Sequence, residues 1–324
     1  MVKLFLGVDG GGTKTDVYVA DSAGNELGRC FGGSTNPHAI GFETAASRIG
    51  ALLLEALALT GAGSSTGPAG TEPVGVCLAL SGIDLPAERE NMSRAVSGLL
   101  RASGIPARML VTNDAESALM AALGREEGML AIAGTGSIVF GRTPDGTRYR
   151  VGGWGHLLGD GGSGYRLGLD ALQAVMRSHD GVDPPTAMTR RLLDSRGWHE
   201  ISELKTYIYG PEITKQHVAE FARCAIETAR DGDPSAMRII TRHAAELAAQ
   251  ALTLAGKDPW FAEGHLGLSG SIFTHSELYE AEFRQRIADA LPALKLLKML
   301  KPPSYGAARL AAVRLAQAEP PSHL

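Results

Sequence analysis

The stretch that decides the fold is Val8–Thr15, V-D-G-G-G-T-K-T, which follows the short apolar run Leu4–Val8. The apolar run is typical of a buried strand, and the glycines after it predict a tight turn. Glycine amides can approach an anion without obstruction from a Cβ atom. Thr13 and Lys14 add a hydroxyl and a cation. The stretch therefore predicts a phosphate-binding turn, although its spacing is not that of a Walker A loop.

Within this turn the candidate ATP-binding residues are Gly11, Gly12, Thr13 and Lys14. Asp9 ends the strand ahead of them, where a carboxylate could hold a hydrated Mg²⁺ ion. The alternative is an ordinary glycine hairpin in which Asp9 is a hydrogen-bond acceptor of the turn.

A second copy of the arrangement begins with the apolar run Met129–Ala133, which ends in Gly134-Thr135-Gly136-Ser137. Thr135 and Gly136 are candidate ATP-binding residues, and a Pro-Asp-Gly hairpin signal follows them. G-T-G-S alone is a common sequence. Two glycine turns that each follow an apolar strand and open a hairpin predict a phosphate chain held between two similar domains.

Strands and helices alternate along the chain, which predicts an α/β fold with two domains. We place the first domain at residues 1–116 and the second at 117–324, with a terminal helix at about 305–317 that packs back on the first. Ala62–Pro73 is expected to form a surface loop, and the last residues a frayed tail. Further helices are predicted at 163–176, 186–193, 215–230, 235–255 and 277–290.

Composition narrows the class of protein. The chain has 324 residues, 44% of them hydrophobic, and a formal net charge of -4, which offers no electrostatic footprint for nucleic acid or an anionic membrane. Its 3 cysteines are scattered, which argues against a disulfide framework, a zinc site or an iron–sulfur cluster. No apolar run reaches membrane-spanning length. We expect a cytoplasmic protein.

Three polar positions are candidates for chemistry. Asp114, in T-N-D-A, stands where a strand meets a helix, the rim at which α/β folds place reactive groups, and could accept a proton from an attacking hydroxyl. Asp160, in the glycine-rich stretch Gly152–Gly164, and Asn36, before Pro37, could bind sugar hydroxyls. Each has a structural alternative: Asp114 and Asp160 as helix N-caps, and Asn36 as an Asn-Pro turn. Trp154 could equally be a core residue.

Taken in order, S-T-N, N-D-A, A-G-T-G-S, G-G-W-G-H-x-x-G-D and L-S-G-S resemble the N-acetylglucosamine kinases of the BadF/BadG/BcrA/BcrD ATPase family, in the sugar kinase/actin/heat-shock chaperone superfamily. The resemblance covers essentially the whole chain. It implies two actin-like (ribonuclease H-like) domains with mixed sheets flanked by helices and a nucleotide cleft between them. It also implies a homodimer that uses ATP and Mg²⁺ to phosphorylate an amino sugar, above all N-acetylglucosamine at its 6-hydroxyl.

The resemblance also implies residue roles. Thr13 and Thr135 would contact ATP phosphates, and Asp114 would be the general base. The residues that would hold the sugar are Asn36, Asp114, Ser137, Gly153, Trp154, Gly155 and Asp160. The adenosine site would be lined by Ala219, Gly270 and Ser271.

Three positions depart from the family pattern: His38 replaces an aromatic ring, Ile138 an amide, and Gly161 a carboxylate beside Asp160. Less charge and more apolar lining would suit a neutral acetamido group over the ammonium of glucosamine. Glucosamine and N-acetylmuramic acid remain alternative substrates. An ATPase activator of an acyl-CoA dehydratase or reductase would need cluster-ligating cysteines, and a sugar-sensing regulator would not need the base.

Overall fold

The computed structural model describes residues 3–61, 73–83 and 85–316. Most of the predicted surface loop and the whole predicted tail lie outside these residues. The chain divides into two compact units: residues up to Glu126 and from Met299 onward form the first, and Glu127–Lys298 form the second. The predicted boundary at 116/117 falls inside a helix of the first unit, and the chain returns to that unit at its end.

The first unit contains a five-stranded mixed sheet. Its strands are β1 (Phe5–Gly10), β2 (Lys14–Ala20), β3 (Glu26–Gly33), β4 (Val74–Leu80) and β5 (Ala107–Thr112). They lie in the order β3-β2-β1-β4-β5. β2 is antiparallel to both β1 and β3, whereas β4 runs parallel to both β1 and β5.

The second unit repeats this topology. Its strands are β6 (Gly128–Ala133), β7 (Ser137–Arg142), β8 (Arg148–Gly152), β9 (His265–Ser269) and β10 (Lys295–Lys298). They lie in the order β10-β9-β6-β7-β8, with an antiparallel meander followed by two parallel strands. The predicted fold class, mixed sheets flanked by helices in two similar domains, is confirmed.

Fourteen helices accompany the sheets in the described part of the chain. They are α1 (Pro37–Ile40), α2 (Phe42–Leu59), α3 (Pro86–Ala102), α4 (Asp114–Leu123), α5 (Gly155–Leu158), α6 (Gly164–His179), α7 (Met188–Arg196), α8 (Ile201–Ile208), α9 (Lys215–Glu220), α10 (Ala222–Arg230), α11 (Pro234–Ala255), α12 (Ser271–His275), α13 (Glu277–Ala290) and α14 (Pro303–Ala316). A short 3₁₀ helix spans Pro259–Glu263.

Helices cover both faces of the first sheet, and this explains why β1 is apolar at successive positions. Leu6 and Val8 pack into the core under α2 and α3, whereas Phe5 packs into the core under α14. Between them, Gly7 lies directly against the α14 backbone at Ser304 and Ala308, where a Cβ atom would not fit. Helix α14 also packs against α4 and lies in the first unit.

The structure differs from the sequence prediction in several elements. The helix predicted at 215–230 is interrupted at buried Phe221, whose N–H donates to the Val218 carbonyl three residues back. Helix α8 and strand β10 were not predicted. β10, K-L-L-K, is a short edge strand flanked by lysines, and such a segment carries no alternating pattern.

None of the helices in the described ranges combines the length and the apolar composition that a membrane crossing requires.

The α4–α14 contact generates a stability prediction. A Cβ atom at Gly306 would fall on the Ser117 carbonyl oxygen of α4, so Gly306→Ala must push the two helices apart. We expect the free energy of unfolding to fall by about 2 kcal/mol, as for other overpacked cores. Urea denaturation measures this.

Gly98→Ala is the matched control, because Gly98 is an exposed helical residue with nothing within 4 Å of its Cβ position. It should raise the free energy of unfolding by up to about 1 kcal/mol, since alanine has the higher helix propensity. Equal effects of the two substitutions would contradict the packing argument.

Candidate functional site

The carboxyl ends of the parallel strands β1, β4 and β5 meet at one edge of the first sheet, the edge at which open α/β sheets bind ligands. Asp9 lies at the end of β1, and Asp114 follows β5 at the start of α4. Between them Ser81 follows β4, and its N–H donates to the Gly10 carbonyl at 2.9 Å. The topology therefore brings two predicted site carboxylates to one edge.

Asp114 is not the cap of its helix. The N-cap is Asn113, whose Oδ1 accepts from the Glu116 N–H at 2.9 Å. Asp114 is the first residue of α4, and its side chain is exposed. The capping alternative therefore does not account for this aspartate.

Asp9 has an unusual protonation equilibrium. Burial, together with the smaller effect of the negative charges of Asp114 and Asp16, raises its pKa from the ordinary 3.8 to about 7 against the opposing effect of Lys14. A carboxylate in this setting gains from a nearby cation. Within the described ranges, no cluster of three or more His, Cys, Asp or Glu side chains could hold a metal ion. A single carboxylate such as that of Asp9 is a ligand of the kind that Mg²⁺ takes beside its waters and substrate phosphates.

The glycine turn between β1 and β2 is a tight hairpin turn, closed by a hydrogen bond from the Gly11 N–H to the Lys14 carbonyl at 3.1 Å. Gly12 and Thr13 are exposed at its tip. None of Gly10, Gly11 and Gly12 has a positive φ. Gly10 is instead required for packing, because a Cβ atom there would collide with Thr35. The geometry agrees with both the phosphate-binding and the plain hairpin interpretation.

Asn36 reaches the same sheet edge. Its Oδ1 caps α1 by accepting from the His38 N–H at 2.9 Å, and its Nδ2 donates to Ser81 Oγ at 3.4 Å. Gly82, with φ of 80°, allows this approach, since a Cβ atom there would lie 2.9 Å from Asn36 Oδ1. The Asn-Pro turn is therefore present, and it directs Asn36 toward Ser81. Ser81 was missed, although a serine and a glycine after an apolar strand were a signal.

In the second unit, the turn between β6 and β7 is held by helix α6. The Gly134 N–H donates to the Gly136 carbonyl at 2.9 Å, and the Gly164 and Tyr165 N–H groups donate to the Gly134 and Thr135 carbonyls at 2.7 and 3.1 Å. The turn that carries Thr135 is therefore fixed against the start of α6.

Ser137 is buried, and its hydroxyl donates to the Gly161 carbonyl at 2.8 Å. Gln250 Nε2 donates to the same carbonyl at 3.0 Å. In this structure, Ser137 thus holds the loop that follows Asp160.

Asp160 combines backbone strain with a buried carboxylate. Its φ of 61° is the one positive value of a non-glycine residue in the described chain, and it is only 5% exposed. The N-cap of α6 is Ser163, which accepts from the Arg166 N–H at 3.2 Å, so the capping alternative is wrong. No described residue donates a hydrogen bond to the Asp160 carboxylate, which lies beside Gly136. Such a buried acceptor is suited to ligand hydroxyls.

Trp154 is 64% exposed, so the core alternative is wrong. Both its neighbours, Gly153 and Gly155, have positive φ angles of 70° and 83°. The Arg150 guanidinium stacks on its ring at 4.2 Å from the centroid. Gly153 packs against the Ile138 side chain, so the turn and this departure from the family pattern lie together.

Gly161 does not leave the loop without a carboxylate. Glu246 Oε2, from α11, lies 3.0 Å from the position that a Cβ atom of Gly161 would take. A hydrogen bond from buried His243 lowers the pKa of Glu246, which keeps it ionised at neutral pH. A carboxylate therefore lies beside Gly161 although the loop itself lacks one there, because another helix supplies it.

The predicted adenosine residues also come together in part. Ala219 and Ser271 line one cavity of about 930 Å³ in the second unit, which Phe221 and Cys224 also line. Gly270 precedes Ser271 with φ of 106° and lies against the Ala133 backbone. It therefore joins this cavity to the end of β6.

A sequence profile of the BadF/BadG/BcrA/BcrD ATPase family matches residues 6–307. The chain belongs to this family. It is 28% identical over 316 residues to the N-acetylmuramic acid/N-acetylglucosamine kinase of Clostridium acetobutylicum, with 96% of this chain and 98% of the relative covered. It is 34% identical over 234 residues to the N-acetyl-D-glucosamine kinase of Dictyostelium discoideum, with 71% and 72% covered.

Among solved structures, this member of the BadF/BadG/BcrA/BcrD family is similar to a protein from Chromobacterium violaceum that is assigned provisionally to the N-acetylglucosamine kinases. The TM-score is 0.68 at 26% identity, and the alignment covers 96% of this chain and 99% of the other. The predicted family is confirmed by these similarities.

The raised pKa of Asp9 generates a prediction. Because its pKa lies near 7 in the folded protein and near 3.8 in the unfolded chain, the free energy of unfolding should fall as pH rises from about 4 to 7, by up to about 4 kcal/mol. Asp9→Asn removes this penalty. We expect the variant to be more stable than the parent at pH 8 by most of this amount, and at pH 4.5 by only about 1 kcal/mol, in urea denaturation with EDTA and without nucleotide.

Asp21→Asn is the control of opposite sign. Asp21 accepts hydrogen bonds from Asn25 and Ala23 that lower its pKa, so its removal should destabilise the protein at pH 8. If Asp9→Asn lowers stability at pH 8 as well, the ionised Asp9 carboxylate does not carry the cost of burial and charge that its raised pKa implies.

Proposed function

We propose that this protein transfers the γ-phosphoryl group of ATP to the 6-hydroxyl of an amino sugar, N-acetylglucosamine. The observation that carries the proposal is Asp114: an exposed carboxylate at the carboxyl edge of the sheet, not used as a helix cap, whose charge acts on Asp9. Phosphoryl transfer to a hydroxyl needs such a group to accept the proton. The names of the two kinase relatives support an amino sugar as acceptor.

Asp114 is the proposed general base, and Asp9 the proposed partner of Mg²⁺ through water. When bound, Mg²⁺ would neutralise charge on the phosphate oxygens. Thr13 and Thr135 are proposed to contact ATP phosphates, with the backbone of their turns. Their supporting observations are local: Thr13 is exposed at a hairpin tip, and Thr135 belongs to a turn held by α6.

The sugar-binding group is proposed to include Asp160, because its buried carboxylate accepts no hydrogen bond from the described residues. Sugar hydroxyls can donate the hydrogen bonds that this carboxylate lacks. A sugar analogue without those hydroxyls would leave the carboxylate unpaired. Asn36, Ser137 and the Gly153–Gly155 turn complete the proposed set. Ala219, Gly270 and Ser271 are proposed to line the adenosine site, since two of them share a cavity.

A homodimer and a cytoplasmic location stay predictions, which rest on the resemblance and on composition. Sedimentation velocity would test the first.

Substitution of the base is the direct test. Asp114→Asn should lower kcat by about 10²-fold, the range of general-base loss, while the Kd for ATP changes little. A coupled ADP-release assay measures kcat. Glu43→Gln is the control, because Glu43 is an exposed acid in the first turn of another helix, α2. Near-normal turnover of the Asp114 variant would show that Asp114 is not the general base and would leave it only a structural role.

The acceptor is tested with the same assay on N-acetylglucosamine, glucosamine, glucose, N-acetylmannosamine and N-acetylmuramic acid. We expect N-acetylglucosamine to have the highest kcat/KM. Burying the acetamido methyl contributes only about 1 kcal/mol, so preference over glucose should be modest. A tenfold higher kcat/KM for glucosamine would refute this choice of sugar and leave the kinase assignment standing. Absence of any turnover would favour a sugar-sensing regulator.

A further inference from the structure

The first turn of α4 contains a buried charge beside the proposed base. Glu116 lies two residues after Asp114, and it is 2% exposed. A carboxylate so deeply buried requires a counter-charge, because an unpaired ion is costly to remove from water. Arg314, in the last turn of α14, supplies it: Nη2 donates to Glu116 Oε2 at 2.7 Å.

The same guanidinium also binds beyond the other end of α4. Nε and Nη2 of Arg314 donate to Glu126 Oε2 at 2.9 and 2.6 Å, and Glu126 follows the Gly124 C-cap of α4. The planar fork of arginine can serve both carboxylates at once, whereas the single ammonium of lysine cannot match this geometry. One side chain therefore ties α14 to the first turn of α4 and to the segment that follows its end.

Close packing fixes the register of the two helices. Gly306 of α14 lies against the Ser117 carbonyl of α4 with no room for a side chain between them. The Ser117 hydroxyl in turn donates to the Asp114 carbonyl at 2.9 Å. The first turn of α4 is thus held by α14 through a backbone contact and through the ion pair.

This anchoring matters for the proposed base, because Asp114 is the first residue of α4 and its position follows that of the first turn. We propose that Arg314 is a positioning residue for Asp114: by holding Glu116 and Glu126 it keeps the start of α4, and with it the base, in place. The inference rests on the proposed function, since it takes Asp114 to be the base.

Arg314→Lys, which keeps the charge but not the fork, is the test. We expect kcat to fall about tenfold with the KM for ATP and sugar nearly unchanged, because a base displaced by a fraction of an ångström loses rate without losing binding. Glu116→Gln should give the same signature. Arg309→Met is the matched control: Arg309 also ties α14 to the first unit, but its hydrogen bond, 3.0 Å long, goes to the Ser22 carbonyl between β2 and β3 and not to α4.

The decisive readout is the double variant. If Arg314 acts through Asp114, Arg314→Lys should change the residual kcat of Asp114→Asn by less than about twofold. Equal tenfold effects in both backgrounds, or a tenfold loss in Arg309→Met, would overturn the proposal and show a general structural role.

If the parent protein phosphorylates none of the amino sugars, the proposed function fails, and hydrogen exchange then decides on the anchor itself. Arg314→Lys should speed exchange of the Glu116 amide, which bonds to Asn113, whereas Arg309→Met should not. If Arg314→Lys leaves the exchange rate of the Glu116 amide unchanged, Arg314 does not anchor the start of α4 and the proposal is overturned.

Discussion

The first unit depends on the burial of β1 on both of its faces. A strand between two helical layers must be apolar throughout, and where α14 crosses it the backbone approach leaves room only for glycine at position 7. This constraint determines the rest of the unit. It requires a helix from the end of the chain to cover a strand from its beginning, and that helix then fixes α4, whose first residue is Asp114.

The edge that results concentrates negative charge. Asp9 and Asp114 lie at the ends of strands that the sheet places two apart, and burial, together with the charge of Asp114, raises the pKa of Asp9 to about 7. A protein selected for stability alone would not keep this pair. Functional sites commonly retain such local costs, because the charge is needed when ligand arrives. Asp160 carries a similar local cost in the second unit, because its backbone is left-handed and its acceptor carboxylate is buried.

Much of the fold could be predicted from the sequence, because glycine turns after apolar runs mark the two repeats. The predicted elements agree with most helices and strands. Strand β10 could not be predicted, since an edge strand of four residues needs no alternation. The predicted boundary at 116/117 falls inside α4, which lies in the first unit and contacts α14, a partner almost two hundred residues away that local patterns cannot show.

The site was predicted less evenly. The motifs point directly to Asn36 and Asp160 as ligand-binding residues, and these roles stay predictions. The helix N-caps, however, are neighbouring residues. Asn113 caps α4 instead of Asp114, and Ser163 caps α6 instead of Asp160. Only the backbone geometry can show which residue is the cap. The carboxylate of Glu246 beside Gly161 comes from another helix, so the local motif could not predict its presence there.

The return of the chain to its first unit also bears on biosynthesis. A ribosome releases residues in order, so β1 to β5 and α4 emerge long before α14 exists. During that interval Phe5, Cys77 and Met120 lack the apolar cover that Leu310 and Ala311 later provide. The second unit, which is contiguous, meets no such delay and can complete its core first. Maturation of the nascent protein thus runs opposite to its sequence order: the unit begun first is finished last.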